Sequence, residues 1–394
     1  SIRRQRQMCI RDSLGATKIW GAYLFQRLTD IYGNVPYSEA GLGYYQQIYK
    51  PKYDNQETIY KDMIQQVKDG VNLLNANNPA IDGDLFYDGD INKWKKFGGS
   101  LLLRIGMRLS EVAPDLAKQT VADAVTIGVM SQPEDICLLR HDGSGKNAFK
   151  NPLSFRYLDD NFIESDAVKI GKTFMDYLKK TKDPRIHVYC SLKDGNTEFD
   201  KQFGLPNGYD SHTIADAPSG SFVGLENTSN FNINTILRLD APTIFLMPSE
   251  TKLLLAEAVL RNWTNGNAEV LYKEAITSSM KEQEIAYGTQ GKITDEEIET
   301  YLAQNLLSTA NNTEKLQIIG EQYWVATFIN GYESYANWRR TGYPKLIPTN
   351  YSGSMSPGVI PTRLPYPTDE YSINRANVDT ANQQQGADKV TTHI

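Results

Sequence analysis

The chain has 394 residues, 40% hydrophobic and 22% charged, a balance that supports a buried core without help from disulfides or metals. Its formal net charge is −6 and its 41 lysines and arginines are dispersed apart from Arg3, Arg4 and Arg6, so the concentrated basic footprint of a nucleic-acid binder is missing. Three cysteines (Cys9, Cys137, Cys190) lie far apart without CxxC or Cys/His ligand spacing and support neither a disulfide framework nor a zinc site.

No run approaches the ~18 apolar residues of a membrane helix, and no charged start followed by an apolar run marks a signal peptide. The opening "SIRRQRQMCIRD" reads as the interior of a longer chain, and Cys9, preceded by Arg-Gln-Met, lacks the small apolar neighbours of a lipid-attachment cysteine.

Helical periodicity comes first in chain order. In residues 17–33, Ile19, Trp20, Tyr23, Leu24, Leu28 and Ile31 recur at i, i+3, i+4 spacing and Gly33 closes the segment, which predicts an amphipathic helix. Turn formers follow, and Asp54 with Glu57 spells a capping-box start for a helix over "QETIYKDMIQQVKDGVNLLN". The run "DGDLFYDGD" sets Asp82, Asp84, Asp88 and Asp90 in one loop, an oxygen cluster of the kind that holds calcium; the position of the bidentate Glu in an EF-hand is Lys93, and a solvated turn is the alternative. "INKWKKFGGSLLLRIGMRLSEV" and "PDLAKQTVADAVTIGVM" then form a helical pair with Pro114 in a favoured first-turn position.

Residues 131–245 change character, being rich in Gly, Asn, Asp and Ser with only short β-like runs such as "IHVYCSL" and "TILRL". So long an irregular stretch implies function. Periodicity returns in "PSETKLLLAEAVLRNW" and "NGNAEVLYKEAITSSMKEQ", where Leu255, Ala256 and Val259, the turn glycine Gly266, and Leu271, Tyr272, Ala275 and Ile276 have the order of a tetratricopeptide-like hairpin. Thr294 and Glu297 cap another helix, and a last pair breaks near Asn330-Gly331. Beyond residue 341, prolines at 344, 348, 357, 361, 365 and 367 predict turns and extended chain.

The expected architecture is mainly α. Within a single domain, 1–394, a tetratricopeptide-like scaffold of helical pairs (17–130 and 246–340) carries a loop-rich excursion with short β-strands (131–245) and an extended tail (341–394). Enzyme templates fit poorly. "HDGSGKN" puts Arg140 and Asn147 where a phosphate loop needs Gly and Ser/Thr, no G-x-S-x-G is present, and none of the four histidines (141, 187, 212, 393) neighbours an obvious nucleophile. Among 47 acids, a glycosidase pair would be invisible in sequence. The 23 tyrosines suit either sugar recognition, through flat apolar faces with polar edges, or packing between helices.

Seven stretches occur in order: "DIYGNVPYSEA", "YDNQETIYKDMI", "INKWKKFGGSLLLRIGMRLS", "DPRI", "APTIFLMPSETKLLLAEAVLR", "YESYANWRRTGYPKL" and "PTRLPYPTDEYSINRANV". Together they resemble the SusD/RagB family of Bacteroidetes nutrient-binding lipoproteins, in particular its SusD-like subgroup, across nearly all of 17–380. The resemblance implies a lipid-anchored, non-catalytic protein at the outer-membrane surface, without cofactor. Such a protein binds oligosaccharide or, in some members, peptide, and caps a SusC-like TonB-dependent transporter. The family's lipobox cysteine and first helices have no counterpart in this sequence, so ligand residues in that part are not carried over. The runner-up readings are a glycoside-active helical enzyme and a scaffold that binds only protein.

Ligand contacts are expected in the excursion, where "KNPLSFRYLDDNF" gathers Asn151, Phe155, Arg156, Tyr157 and Asp159, joined by Tyr209 and Phe222 from later loops and by Trp263 at a helix turn. Packing of the excursion onto the helices is the alternative for each. Trp20, Trp94 and Trp324, at helical spacing, are expected in the core. Tyr335, Trp338, Arg339 and Arg340, at a helix end closed by Gly342, read as a lock onto the tail, with a partner or ligand surface as the other option.

Overall fold

The computed structural model describes residues 2–159, 168–209, 212–307, 311–349 and 353–394, with side chains from Ile10 onward save that of Asp159. Helix dominates. The strands are two to four residues long and pair only into two-stranded antiparallel sheets, so the described core is built by helices. The chain divides into two compact units, one made of residues 1–129 with 327–394 and the other of 130–326.

In the first unit, helix Ile2–Tyr32 packs on helix Gln56–Leu73, and helix Ile91–Arg108 packs on both Gln56–Leu73 and Pro114–Ile127. The first crossing depends on glycine: a Cβ on Gly15 would stand 2.7 Å from the Gly70 carbonyl oxygen, and one on Gly70 equally close to that of Gly15. Above this contact Trp20 stacks on Tyr23 at 5.0 Å, while Phe97 and the buried Trp94 meet at 5.5 Å. Leu24 and Leu28, expected on the apolar face, are each 43% exposed, whereas Ile19, Tyr23 and Ile31 are buried. The helix therefore buries a narrower stripe than its periodicity implies.

Helix Gln56–Leu73 is capped by Asn55, whose side chain accepts the Glu57 N–H. Asp54, the expected capping residue, instead accepts the backbone N–H groups of Tyr37 and Ser38 and so closes the preceding loop. Pro114 occupies the first turn of its helix as predicted. The tail is less extended than its prolines suggest, because it contains helices Thr368–Ile373 and Arg375–Gln385.

The second unit is organised around helices Pro248–Leu260 and Ala268–Tyr287, which pack against each other, with helix Asn312–Ala326 on the first. Asn267 caps the second through the N–H groups of Glu269 and Val270. Thr294 and Glu297 form the expected capping box. Residues 186–189 of "IHVYCSL" are helical, with only Cys190–Ser191 as strand, and "TILRL" is a run of turns.

Two buried polar centres hold this unit. Arg185 is fully buried and forks onto Asp183 at 2.9 and 2.6 Å, then reaches Ser279 Oγ and Gln322 Oε1, tying the "DPRI" loop to two helices. Glu282 accepts the Ser249 N–H and the hydroxyls of Ser249 and Ser278. Burial pushes its carboxyl up to about 7 in spite of those bonds.

Candidate functional site

The excursion presents its aromatic residues on a short helix, Pro152–Asp159. Asn151 starts it: its Oδ1 accepts the Ser154 N–H, as an N-cap does ahead of a first-turn proline, and its Nδ2 donates to the Ala241 carbonyl at 2.8 Å. With Asn151 5% exposed, its amide is occupied inside the protein and positions the helix. Phe155 and Tyr157 are half-buried and Arg156 is exposed. Lys150 Nζ lies 5.7 Å from the Phe155 ring centre, and Tyr157 stands edge-on to Phe231 at 5.6 Å. Burial raises the Tyr157 phenol above its ordinary range.

Phe231 belongs to the strand paired with Cys190–Ser191. Two residues earlier, Ser229 donates its N–H to the Phe203 carbonyl and accepts the Phe203 N–H on its hydroxyl. Phe203 is 39% exposed with Lys179 Nζ 4.2 Å from its ring centre. Tyr157, Phe231 and Phe203 thus share one backbone-stitched region. Tyr209 and Phe222 are half-buried in the loops that follow, and Trp263 sits at the turn after Pro248–Leu260 with the Arg261 guanidinium 5.3 Å over its ring. The Asp159 side chain lies outside the described residues.

A groove of about 440 Å³ opens in the same unit, lined by Lys182, Phe199, Glu296, Thr300, Tyr301 and Gln304 among others. One aromatic face with amide, hydroxyl, ammonium and carboxylate edges is the mixture a polyhydroxylated ligand requires. At its rim, burial opposes ionisation of Glu297, yet hydrogen bonds from Thr294 hold that carboxyl below its ordinary range.

In the first unit the terminal motif is a lock. Tyr335 donates its hydroxyl to the Pro361 carbonyl, Arg339 donates to the carbonyls of Thr362 and Asp30, and Gly342 ends the helix at φ 70°. Beneath it, Arg108 pairs with Asp30 at 3.2 Å and Glu333 at 2.6 Å, and Arg104 lies 3.5 Å from Glu333. Burial raises the Asp30 carboxyl despite Arg108 and the Tyr60 hydroxyl bonded to it. The tail motif is equally committed: Arg363, fully buried, pairs with Asp388 at 2.9 Å, Tyr366 donates to the Asn34 carbonyl, and Glu370 accepts the Tyr53 hydroxyl.

The aspartate run is a built turn. Asp84 accepts N–H groups from Phe86, Tyr87, Gly89 and the Trp94 indole, and Asp90 caps helix Ile91–Arg108. Among the described residues no group of three or more His, Cys, Asp or Glu side chains is arranged to hold a metal ion.

Residues 3–367 match the SusD-like family model, described as "Starch-binding associating with outer membrane". The chain belongs to the SusD-like family. Its fold is similar to that of a protein titled "chitin-binding protein", with TM-score 0.82 and 33% identity over 96% of this chain and 80% of that one. A Bacteroidetes SusD-like structure gives TM-score 0.83 and 26% identity, covering 98% and 84%. A chitin-binding SusD homologue from Flavobacterium johnsoniae gives 0.79 and 25%, covering 96% and 80%. No curated protein matches the sequence.

For a SusD-like chain, sequence reasoning overlooked Phe203, Phe231 and the groove beside helix Asp295–Gln304. Phe203 and Phe231 stand alone among polar neighbours, and the groove is assembled from three distant segments, so neither leaves a local pattern. The tyrosines of "GYYQQIY" were legible as aromatics inside a turn-rich stretch, and the structure leaves Tyr44, Tyr45 and Tyr49 88%, 84% and 72% exposed.

Proposed function

We propose that this protein is a non-catalytic glycan-binding component of the outer-membrane surface, lipid-anchored there, that passes oligosaccharide to a SusC-like TonB-dependent transporter. The observation that carries the reading is the similarity over nearly the whole chain to a protein titled as chitin-binding, within a family whose description is starch binding at the outer membrane. The excursion supports it chemically. Tyr157 and Phe203 offer ring faces to the C–H face of a pyranose, while Arg156 at the surface offers donors to paired hydroxyls. Because each hydroxyl gives up water to gain a protein partner, affinity at one such site is modest.

Affinity electrophoresis through gels containing chitin-derived, starch-type and other polysaccharides tests this. Retardation by one glycan, reduced at least several-fold in Tyr157→Ala or Trp263→Ala, is the expected result. Release of reducing ends from the retarding glycan would replace the binder with an enzyme, and saturable binding of peptides instead of glycans would move the protein to the family's peptide-binding branch.

A further inference from the structure

The most exposed aromatic side chains described lie in the first unit, on a loop that none of the site residues above belongs to. Its base is closed by the strand pair Val35–Pro36 and Tyr53–Asp54. Inside that base the Asp54 carboxylate accepts the N–H groups of Tyr37 and Ser38, Glu39 accepts the Lys52 N–H, and the Tyr37 hydroxyl reaches Asp62. From the tail, Asn374 and Asn377 donate to the carbonyls of Pro51 and Lys50. The tip is a single helical turn, Gly43–Gln46, closed by Gln47 in the left-handed region with its N–H on the Gly43 carbonyl. These ties fix the two ends of the loop on either side of the tip.

That tip displays Tyr44 and Tyr45 with ring centres 5.0 Å apart and planes at 87°, so the pair orients itself without packing on the body of the unit. The Tyr49 ring lies beside Gly43, where an added Cβ would stand 3.6 Å from two of its carbons. Residues 43–50, "GYYQQIYK", contain no acid; the exposed members beside the rings are Gln46, Gln47 and Lys50, and the one aliphatic, Ile48, is partly buried.

We infer that the Tyr44, Tyr45 and Tyr49 tip is a second carbohydrate platform, which stacks on the interior of an extended, neutral polysaccharide chain. This rests on the glycan reading above. The choice of ligand follows from the make-up of the patch. Ring faces rimmed by primary amides match a pyranose's C–H face and hydroxyl edge, whereas the core of a protein interface combines aromatics with Met, Arg and aliphatic side chains that the tip does not expose. The choice of polymer follows from shape. A convex tip cannot enclose a short oligosaccharide, but it can lie along a chain that a second site also holds, and two weak contacts on one chain gain by effective concentration.

The experiment compares wild type, the triple variant Tyr44→Ala/Tyr45→Ala/Tyr49→Ala, its Phe counterpart and Tyr157→Ala. Each is run against polysaccharide by affinity electrophoresis and against a short oligosaccharide of the same glycan by calorimetry. The triple Ala variant is expected to bind polysaccharide about 5- to 10-fold more weakly while keeping oligosaccharide affinity and melting temperature, and the Phe variant to retain most polysaccharide binding. Polysaccharide binding by the triple Ala variant equal to wild type overturns the platform and leaves the glycan reading standing. Unchanged glycan binding with loss of capture of the co-expressed transporter overturns it in favour of a protein contact. A wild type that binds no polysaccharide removes the reading and the platform together.

Discussion

The tail beyond residue 341 and the excursion of 131–245 look alike in sequence, both poor in periodicity and rich in turn formers, yet they differ in what holds them. The tail is fastened by side chains reaching across the sequence: Gln385 Oε1 accepts the Asn34 N–H, Gln385 Nε2 donates to the Tyr366 hydroxyl, and Tyr371 donates to Asp388. Tyr366, Val378 and Ala381 form a small core with Tyr32 and Tyr53 packed on it. The excursion is tied by side chains too, at Asn151 and Arg185, but it adds main-chain stitches between its own loops, as where Leu205 donates to the Ile170 carbonyl, Lys172 to that of Leu205 and Ile170 to that of Ser229. Backbone stitching fixes a surface without consuming its side chains. Tyr366 and Tyr371 in the tail are taken up by hydrogen bonds to Asn34 and Asp388, whereas in the excursion Phe174 and Tyr189 are buried and Tyr157 and Phe203 stay partly exposed.

The largest effect that breaks this comparison is removal of a buried cation. Arg363→Ala, which strands Asp388, and Arg185→Ala, which strands Asp183, are each expected to cost about 3–5 kcal/mol in urea unfolding. A loss under about 1 kcal/mol for Arg363→Ala would mean that the tail is not fastened there.

Next comes pH. Because burial raises Glu282 to about 7 from the ordinary glutamate value of 4.5, the folded state holds this proton more tightly than the unfolded chain. Its contribution to stability is full below about pH 4.5 and is lost as pH rises through about 7. Glu282→Gln should flatten the stability-versus-pH curve across that window by on the order of 1–3 kcal/mol; an unchanged slope would assign the pH dependence elsewhere.

Tyr157→Ala is expected to cost about 1–2 kcal/mol, since the ring is only half-buried, while removing a larger share of glycan affinity. Equal proportional loss of both would make it a packing residue. The smallest effect is Tyr371→Phe, which deletes one hydroxyl bonded to Asp388 and should cost about 0.5–1.5 kcal/mol with no change in binding.

Much of the scaffold was legible because caps and periodicity are local. Thr294 with Glu297, Pro114 and Gly342 each declared an element boundary within a few residues, and "YANWRR" showed its structural role through its place at a helix end. What stayed hidden depends on partners far along the chain. Asp54 and Asn55 are adjacent and chemically similar, and only the loop at Tyr37 and Ser38 decides which of them caps the helix. Leu24 and Leu28 satisfy the helical period but meet no neighbouring element that buries them fully. Phe203 is tied through Ser229 to the strand that carries Phe231, a link between distant segments that no periodicity announces.

The division of the chain at residues 130 and 326 also bears on the order of folding during synthesis. The unit begun by the first four long helices is finished by Arg339, Arg363 and Gln385, so its closing contacts wait for roughly two hundred intervening residues to be made, and a loop of that length delays closure far more than it weakens the product. The inserted segment, by contrast, holds both ends of its own core. It can mature while the flanking helices are still incomplete, and a ribosome stalled shortly before Arg363 would release a chain whose middle is folded and whose outer unit is open.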